Sequence, residues 1–188
     1  MIEEPWETHS YLKRLPPEAY RGHAVVHWSM AIDQRKQGWL NDLFHARFRE
    51  VLTHTGFRYC LACPCYVLMP DHAHLLLMGY DEEGADQRRA MRYLRKQINW
   101  LLATEGFKLQ KQGHDHVLRE ESRRQSVFQT VAGYVRENPL RAGLVTEDSL
   151  SEYRWGGCLV PGYPELDVRA DGFWDSYWKI YWQLRDSE

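Results

Sequence analysis

The chain has 188 residues, 44% hydrophobic and 27% charged, with a formal net charge of −2. That length suits one domain, or one domain with appendages, and buries roughly 70% of the unfolded surface, so folding requires no disulfide or metal staple. No run approaches about 18 uninterrupted apolar residues, which excludes a membrane-spanning helix, and an acidic, polar start (MIEEPWETHS) with four cysteines sets the expectation of a cytoplasmic protein with reduced thiols.

Residues 1–22 read as an irregular extension punctuated by Pro16-Pro17. His23–Ile32 (HAVVHWSMAI) is β-branched and aromatic, the composition of a strand. After a polar loop, Asn41 or Asp42 can cap a helix running to about Thr53. Leu43, Phe44, Ala46, Phe48, Val51 and Leu52 recur there at helical spacing, with Gly56 past the end. Phe57–Met69 is a second strand, interrupted by Pro64. Pro70-Asp71 makes a tight turn into a third strand, His72–Tyr80, paired with the second as a hairpin. An acidic loop leads to a helix over Gln87–Thr104, with Met91, Leu94, Ile98, Leu101 and Leu102 on its apolar side. Lys108–Leu118 holds a short extended piece. Glu121–Glu137 is a helix that Pro139 must end. Residues 143–157 are loop-rich and 158–170 read as an irregular tail. Asp171–Arg185 closes the chain as a helix with Trp174, Trp178 and Trp182 four residues apart. The order strand–helix–strand–strand–helix–strand predicts an α+β, ferredoxin-like sandwich: a central antiparallel sheet with helices over one face, and a C-terminal helical tail.

A near-neutral total argues against a polyanionic partner only if charge is spread evenly, and it is not. Between Ala85 and Arg124 ten Lys/Arg face five acids, a local balance of +5; the remaining 14 Lys/Arg and 21 acids carry −7. A focused basic surface can bind phosphates on an acidic protein. The same run also fits a solvated helix face.

His72-Ala73-His74 falls on a predicted strand, where alternation projects both imidazoles from one face, about 7 Å apart along the chain. Both can converge on one metal ion; two half-buried strand histidines would give the same pattern. Tyr134 and Asn138 lie one helical turn apart on a shared face. A tyrosine oxygen can attack phosphorus, and an asparagine carbonyl is a hard ligand that could complete a two-histidine site for Mg²⁺ or Mn²⁺. Taken alone, core packing and a helix end before Pro139 are the plainer reading of that pair.

Taken together, these segments resemble one family. YVLMPDHAHLLL (Tyr66–Leu77) resembles the HUH motif of single-tyrosine HUH transposases, and YVRENPLRAGLV (Tyr134–Val145) resembles their nucleophile helix. HDHVLREE (His114–Glu121) and EYRW (Glu152–Trp155) resemble the stretches on either side, and the branch most similar is the REP-associated tyrosine transposases. The resemblance runs from about Ala24 to Trp155. The family pattern often has a bulkier residue at Ala73 and Ser-Ser at Gly156-Gly157.

The resemblance implies an N-terminal extension (1–22), a catalytic domain of the HUH endonuclease fold (23–157) and a tail (158–188). It makes His72, His74 and Asn138 metal ligands for Mg²⁺ or Mn²⁺, and Tyr134 the nucleophile. The implied activity is cleavage and strand transfer of hairpin-associated single-stranded DNA through a 5′-phosphotyrosine link. Arg88, Arg92, Arg95, Lys96, Arg119, His116 and Arg141 are the candidate DNA contacts. The expected partner is hairpin-forming single-stranded DNA, with no membrane and no small-molecule substrate, bound by a monomer. A phosphodiesterase working through a metal-bound water, and a DNA-binding module without turnover, are the alternatives. His114-Asp115-His116, the Cys60/Cys63/Cys65 cluster with Cys158, and the tryptophan row are further candidates for ligation or stacking. Each has a plainer reading as packing.

Overall fold

The computed structural model describes residues 14–118 and 125–186. Strand β1 (Val25–Ala31) leads to helix α1 (Asp42–Arg58), strands β2 (Leu61–Leu68) and β3 (His72–Gly79), helix α2 (Gln87–Ala103) and strand β4 (His114–Val117). Helix α3 (Gln125–Arg136), the short α4 (Asn138–Arg141), strand β5 (Gly156–Leu159) and helix α5 (Phe173–Asp186) follow. The sheet is antiparallel in the order β4-β1-β3-β2-β5, so the first four strands have the predicted ferredoxin-like arrangement.

Local chemistry explains most boundaries. The Asn41 side chain accepts from the Phe44 amide at 2.9 Å and starts α1; Asp86 does the same for Arg89 and starts α2. Gly56 does not stop α1, which continues to Arg58. A Cβ there would lie 2.8 Å from the Leu61 carbonyl oxygen, so glycine is needed for close approach to β2, not for a helix end. Pro64 sits where the register of β2 slips against both neighbours, between Ala62 and Cys65 facing β3 and between Cys63 and Tyr66 facing β5. Proline has no amide hydrogen to give a ladder, and a bulge removes the need for one.

Two differences from the sequence expectation concern packing. Helices cover both faces of the sheet, not one. On the first face, Phe44, Phe48 and Leu52 of α1 and Ala90, Met91, Leu94, Ile98 and Leu102 of α2 meet Trp28, Met30, Leu75 and Leu77. On the second, Phe128, Ala132 and Val135 of α3 and Phe173, Tyr177, Trp178 and Tyr181 of α5 meet Val25, Cys65, Val67, Leu76 and Met78. Each large side chain so buried contributes about 1.5–3 kcal/mol. The second difference lies in residues 143–170, read as loop and irregular tail, which supply edge strand β5; the expected closing helix is present as α5 and packs as a layer on the second face.

Gln87 ties α2 to the sheet. It is fully buried, accepts from Trp28 Nε1 at 3.0 Å, and donates to the carbonyls of Ala24 (2.7 Å) and Leu77 (3.3 Å). Among the described residues, no helix is long and apolar enough to cross a membrane.

Candidate active site

The β2–β3 turn closes with the Met69 amide donating to the His72 carbonyl at 2.7 Å, which places His72 and His74 at the start of β3. Alternation sends Ala73 into the first face, where it is buried, and both histidines to the second, where they are half-buried. Their rings stand nearly perpendicular, with centroids 4.8 Å apart and Nε2 atoms 3.0 Å apart. Two ligands on adjacent corners of an octahedron with bonds of about 2.1 Å are themselves about 3.0 Å apart. The two imidazoles therefore fit the implied divalent cation.

Each ring's other nitrogen has a partner. His72 Nδ1 meets Asp71 Oδ1 at 2.5 Å, and Arg35 pairs with the other Asp71 oxygen at 3.2 Å. A carboxylate only accepts, so His72 Nδ1 carries the hydrogen. Burial pushes the Asp71 carboxyl upward, but the His72 contact and the Arg35 charge outweigh it and hold it below its ordinary value. His74 Nδ1 meets His27 Nε2 at 3.0 Å across the β1–β3 pair, with ring centroids 5.1 Å apart and planes 30° apart. Burial, then the neighbouring His27 and His72, lowers His74 to about 3. His27 falls to about 4, through burial and then His116, which stands opposite it on β4.

Tyr134 projects from α3 with its ring edge against His27, centroids 6.3 Å apart, and remains 45% exposed. The Arg141 guanidinium stacks over the same ring at 4.8 Å. The predicted nucleophile and the predicted ligand pair thus share one face, joined through His27. Asn138 lies where α3 gives way to α4. Its amide nitrogen donates to the carbonyls of Tyr134 (2.9 Å) and Val135 (3.1 Å). That capping role fixes the side chain and leaves Oδ1 as its remaining acceptor. No hydrogen bond joins Asn138 to either histidine. Pro139 sits in the first turn of α4, where no amide hydrogen is required.

The other predicted contacts separate. Arg88, Arg92 and Arg95 line a groove of about 520 Å³ beside α2, together with Arg14, Lys111 and Gly113. Arg95 is partly spent on structure: its Nη2 holds the carbonyls of Gln110 (2.5 Å) and Lys111 (3.3 Å). Lys96 is exposed on α2 outside that groove. Arg119 lies outside the described residues. Of the second H-x-H, His114 and His116 share the face of His27, while Asp115 turns to Tyr20 and Arg14.

The cysteines divide between the two faces: Cys63 packs with α1 and α2, Cys65 and Cys158 with α3 and α5. Cys65 and Cys158 point at backbone carbonyls, and burial raises the Cys158 thiol to about 11. Of the tryptophan row, Trp178 is buried against Phe128, whereas Trp182 stays 48% exposed under Arg185. A cleft of about 360 Å³ on the far flank of α3, lined by Gly133, Arg136, Tyr153 and Gly157, contains none of the predicted ligands.

The sequence reading missed His27 and gave Asp71 no role beyond the turn. The alternation of β1 placed His27 on a definite face, but its pairing with His74 depends on strand register.

No protein-family model and no curated protein matches the chain. Among solved structures, a REP-associated tyrosine transposase bound to a REP hairpin superposes with a TM-score of 0.62 at 16% identity, over 78% of this chain and 81% of that one. The chain has the fold of that transposase. A bacterial tRNA(His) guanylyltransferase-like protein also superposes. Its complex with GTP gives a TM-score of 0.49 at 12% identity, over 88% of this chain and 94% of that one. Its complex with ATP gives 0.39 at 13% identity, over 76% and 80%. The REP-associated transposase fold supplies the sheet on which the histidines sit; the chemistry rests on this chain's own side chains.

Proposed function

We propose that the chain is a divalent-cation-dependent, single-stranded DNA endonuclease and strand transferase that acts through Tyr134. The observation that carries this reading is the convergence of His72 and His74 Nε2 atoms, 3.0 Å apart, on the face where the Tyr134 ring meets His27. His72 and His74, with the Asn138 carbonyl oxygen, would hold Mg²⁺ or Mn²⁺. Such a cation, when bound, withdraws charge from a non-bridging phosphate oxygen.

The remaining work falls to the chain. The Tyr134 hydroxyl gives up its proton to solvent as its oxygen forms a bond to phosphorus, the bond from phosphorus to the 3′ oxygen breaks, and the leaving oxygen takes a proton from solvent to become a 3′-hydroxyl. The product is a 5′-phosphotyrosine ester, which keeps the bond energy needed to rejoin a strand. Exposure lets Tyr134 reach a phosphodiester, and the Arg141 guanidinium stacked over its ring helps hold the ring in place. Helix α3, packed through Phe128 and Val135, fixes where that oxygen can go.

A hairpin-forming strand is the proposed substrate. The solved transposase of like fold is bound to a REP hairpin. The groove of Arg88, Arg92 and Arg95 suits phosphates and lies beside β4, the edge strand that also carries His116 next to His27. A hairpin foot laid around that edge would reach both.

The test is incubation of the protein with labelled hairpin oligonucleotides and Mn²⁺, read on a denaturing gel. A covalent adduct with wild type that is absent with Tyr134→Phe is expected. No adduct at all, or an undiminished one with Tyr134→Phe, overturns the proposal. Cleavage without an adduct would favour hydrolysis by a metal-bound water.

A further inference from the structure

We infer that His27 is a positioning residue for the cation site: it fixes the tautomer and tilt of His74 and spaces that ligand from the nucleophile. The inference rests on the cation reading proposed above. It adds a residue outside the H-x-H motif, from a different strand.

The argument is one of hydrogen counting. For His72 and His74 to offer Nε2 lone pairs to a single cation, each neutral ring must carry its hydrogen on Nδ1. His72 meets this condition through Asp71, whose oxygen can only accept. His74 has no carboxylate at Nδ1. Its partner there is His27 Nε2, at 3.0 Å. His27 must accept at Nε2 and so keep its own hydrogen on Nδ1. The two ligands are thus oriented by different means, one by a carboxylate on the turn and one by an imidazole on β1. The arrangement has the form of the outer contacts that orient ligating histidines in metal sites.

Geometry makes the contact specific. In the β1–β3 ladder Ser29 stands opposite His74 and His27 opposite Leu76, so His27 reaches His74 along the diagonal. The two ring planes lie 30° apart with centroids 5.1 Å apart, an end-to-end pair whose near-coplanarity holds the His74 plane as well as its hydrogen. The other side of His27 receives the Tyr134 ring edge-on, so one side chain stands between ligand and nucleophile.

The experiment measures Mn²⁺ binding, by the loss of free-ion paramagnetic resonance signal, for wild type, His27→Leu and His27→Gln. The wild type should bind. His27→Leu, which cannot accept a hydrogen bond, should bind 10–100-fold more weakly with its melting temperature nearly unchanged. His27→Gln, which offers an acceptor oxygen, should recover part of that loss. Nitrogen-15 spectra of the imidazoles with saturating Mg²⁺ should show the hydrogen of His74 on Nδ1 in wild type and a mixture of tautomers in His27→Leu. Binding by His27→Leu within about threefold of wild type overturns the inference while leaving the cation site standing. So does a His74 tautomer that the substitution does not change. Absence of Mn²⁺ binding by wild type removes the cation reading and this inference with it.

Discussion

Replacing Gln87 by leucine tests how α2, and the arginine groove it carries, is held to the sheet. The two side chains are of similar volume, so little cavity or overpacking is introduced. Three hydrogen bonds disappear, with unequal consequences. The Ala24 carbonyl still accepts from the Gly79 amide at 3.1 Å, and Leu77 still pairs with Val26 in the ladder, so both oxygens lose only a second partner. Trp28 Nε1 loses its acceptor while the residue remains 1% exposed, and an orphaned buried donor costs about 1–3 kcal/mol. With smaller losses at the carbonyls, Gln87→Leu should destabilise the fold by about 2–3 kcal/mol, lowering the melting temperature by roughly 4–10 °C for a chain of this size. Urea titration followed by tryptophan fluorescence and circular dichroism gives the free energy. The decisive comparison adds Trp28→Phe, which removes the orphaned donor. If the reasoning holds, the double variant is less destabilised than the sum of the two singles by at least about 1 kcal/mol. Additive losses, or a Gln87→Leu cost below about 0.5 kcal/mol, refute it.

Other outcomes follow from equally specific contacts. Gly79→Ala should cost more than about 3 kcal/mol, or prevent folding, because the added Cβ would lie 1.9 Å from the Gly22 carbonyl oxygen and 2.9 Å from Ala85 Cβ; thermal melts and soluble yield report it. Burial, and then Arg49, lowers His45 to about 4, and the Tyr66 hydroxyl, which accepts from Arg49 at 2.7 Å, has its hydrogen to donate to His45 Nε2 at 2.9 Å. Folding thus favours neutral His45: its contribution is full above about pH 6.5 and is lost as the pH falls towards 4. Wild type should therefore lose stability across that window more steeply than His45→Gln. The slope difference stays below the one-proton limit of about 1.4 kcal/mol per pH unit, and solvent on the open side of the ring reduces it further. Arg88→Gln and Arg92→Gln should weaken binding of hairpin oligonucleotides and each reduce the salt dependence of log K by about one, measured by fluorescence anisotropy from low to high salt. A salt slope unchanged in both variants would show that the groove does not meet phosphate.

What could be read from the sequence, and what could not, divides along local against non-local causes. Helix α1 starts where Asn41 caps it, and the hairpin turns at Pro70-Asp71, because those signals act over three or four residues. The H-x-H pair was legible for the same reason: strand alternation alone puts two residues on one side. Strand β5 was not, since Gly156-Gly157-Cys158-Leu159 has no β-branched residue and is extended because β2 offers it a partner. Nor was His27, which in the run HAVVHWSMAI looks like any half-buried strand residue until register brings it to His74. The amphipathic pattern of the closing helix was visible. That it lies on the opposite face from α1 and α2 depends on the non-local contacts of Phe128 and the sheet's second face. Gly56 misled because a glycine near a helix end has two explanations, and here the approach of Leu61 outweighs backbone freedom.

The sheet and one helical layer share the candidate site between them. The histidines belong to the sheet, whose first face is sealed by α1 and α2. Tyr134 belongs to α3, which is secured from behind by Phe128 against Trp174, Tyr177 and Trp178 of α5. The proposed nucleophile and the proposed ligands therefore meet across a packing seam, and the last fourteen-residue helix stands as the back wall of Tyr134. Shaving that wall would set the tyrosine adrift while the two imidazoles kept their places. In the proposed reaction, a helix some forty residues further along the chain would thus set where the Tyr134 oxygen stands, largely through aromatic contacts.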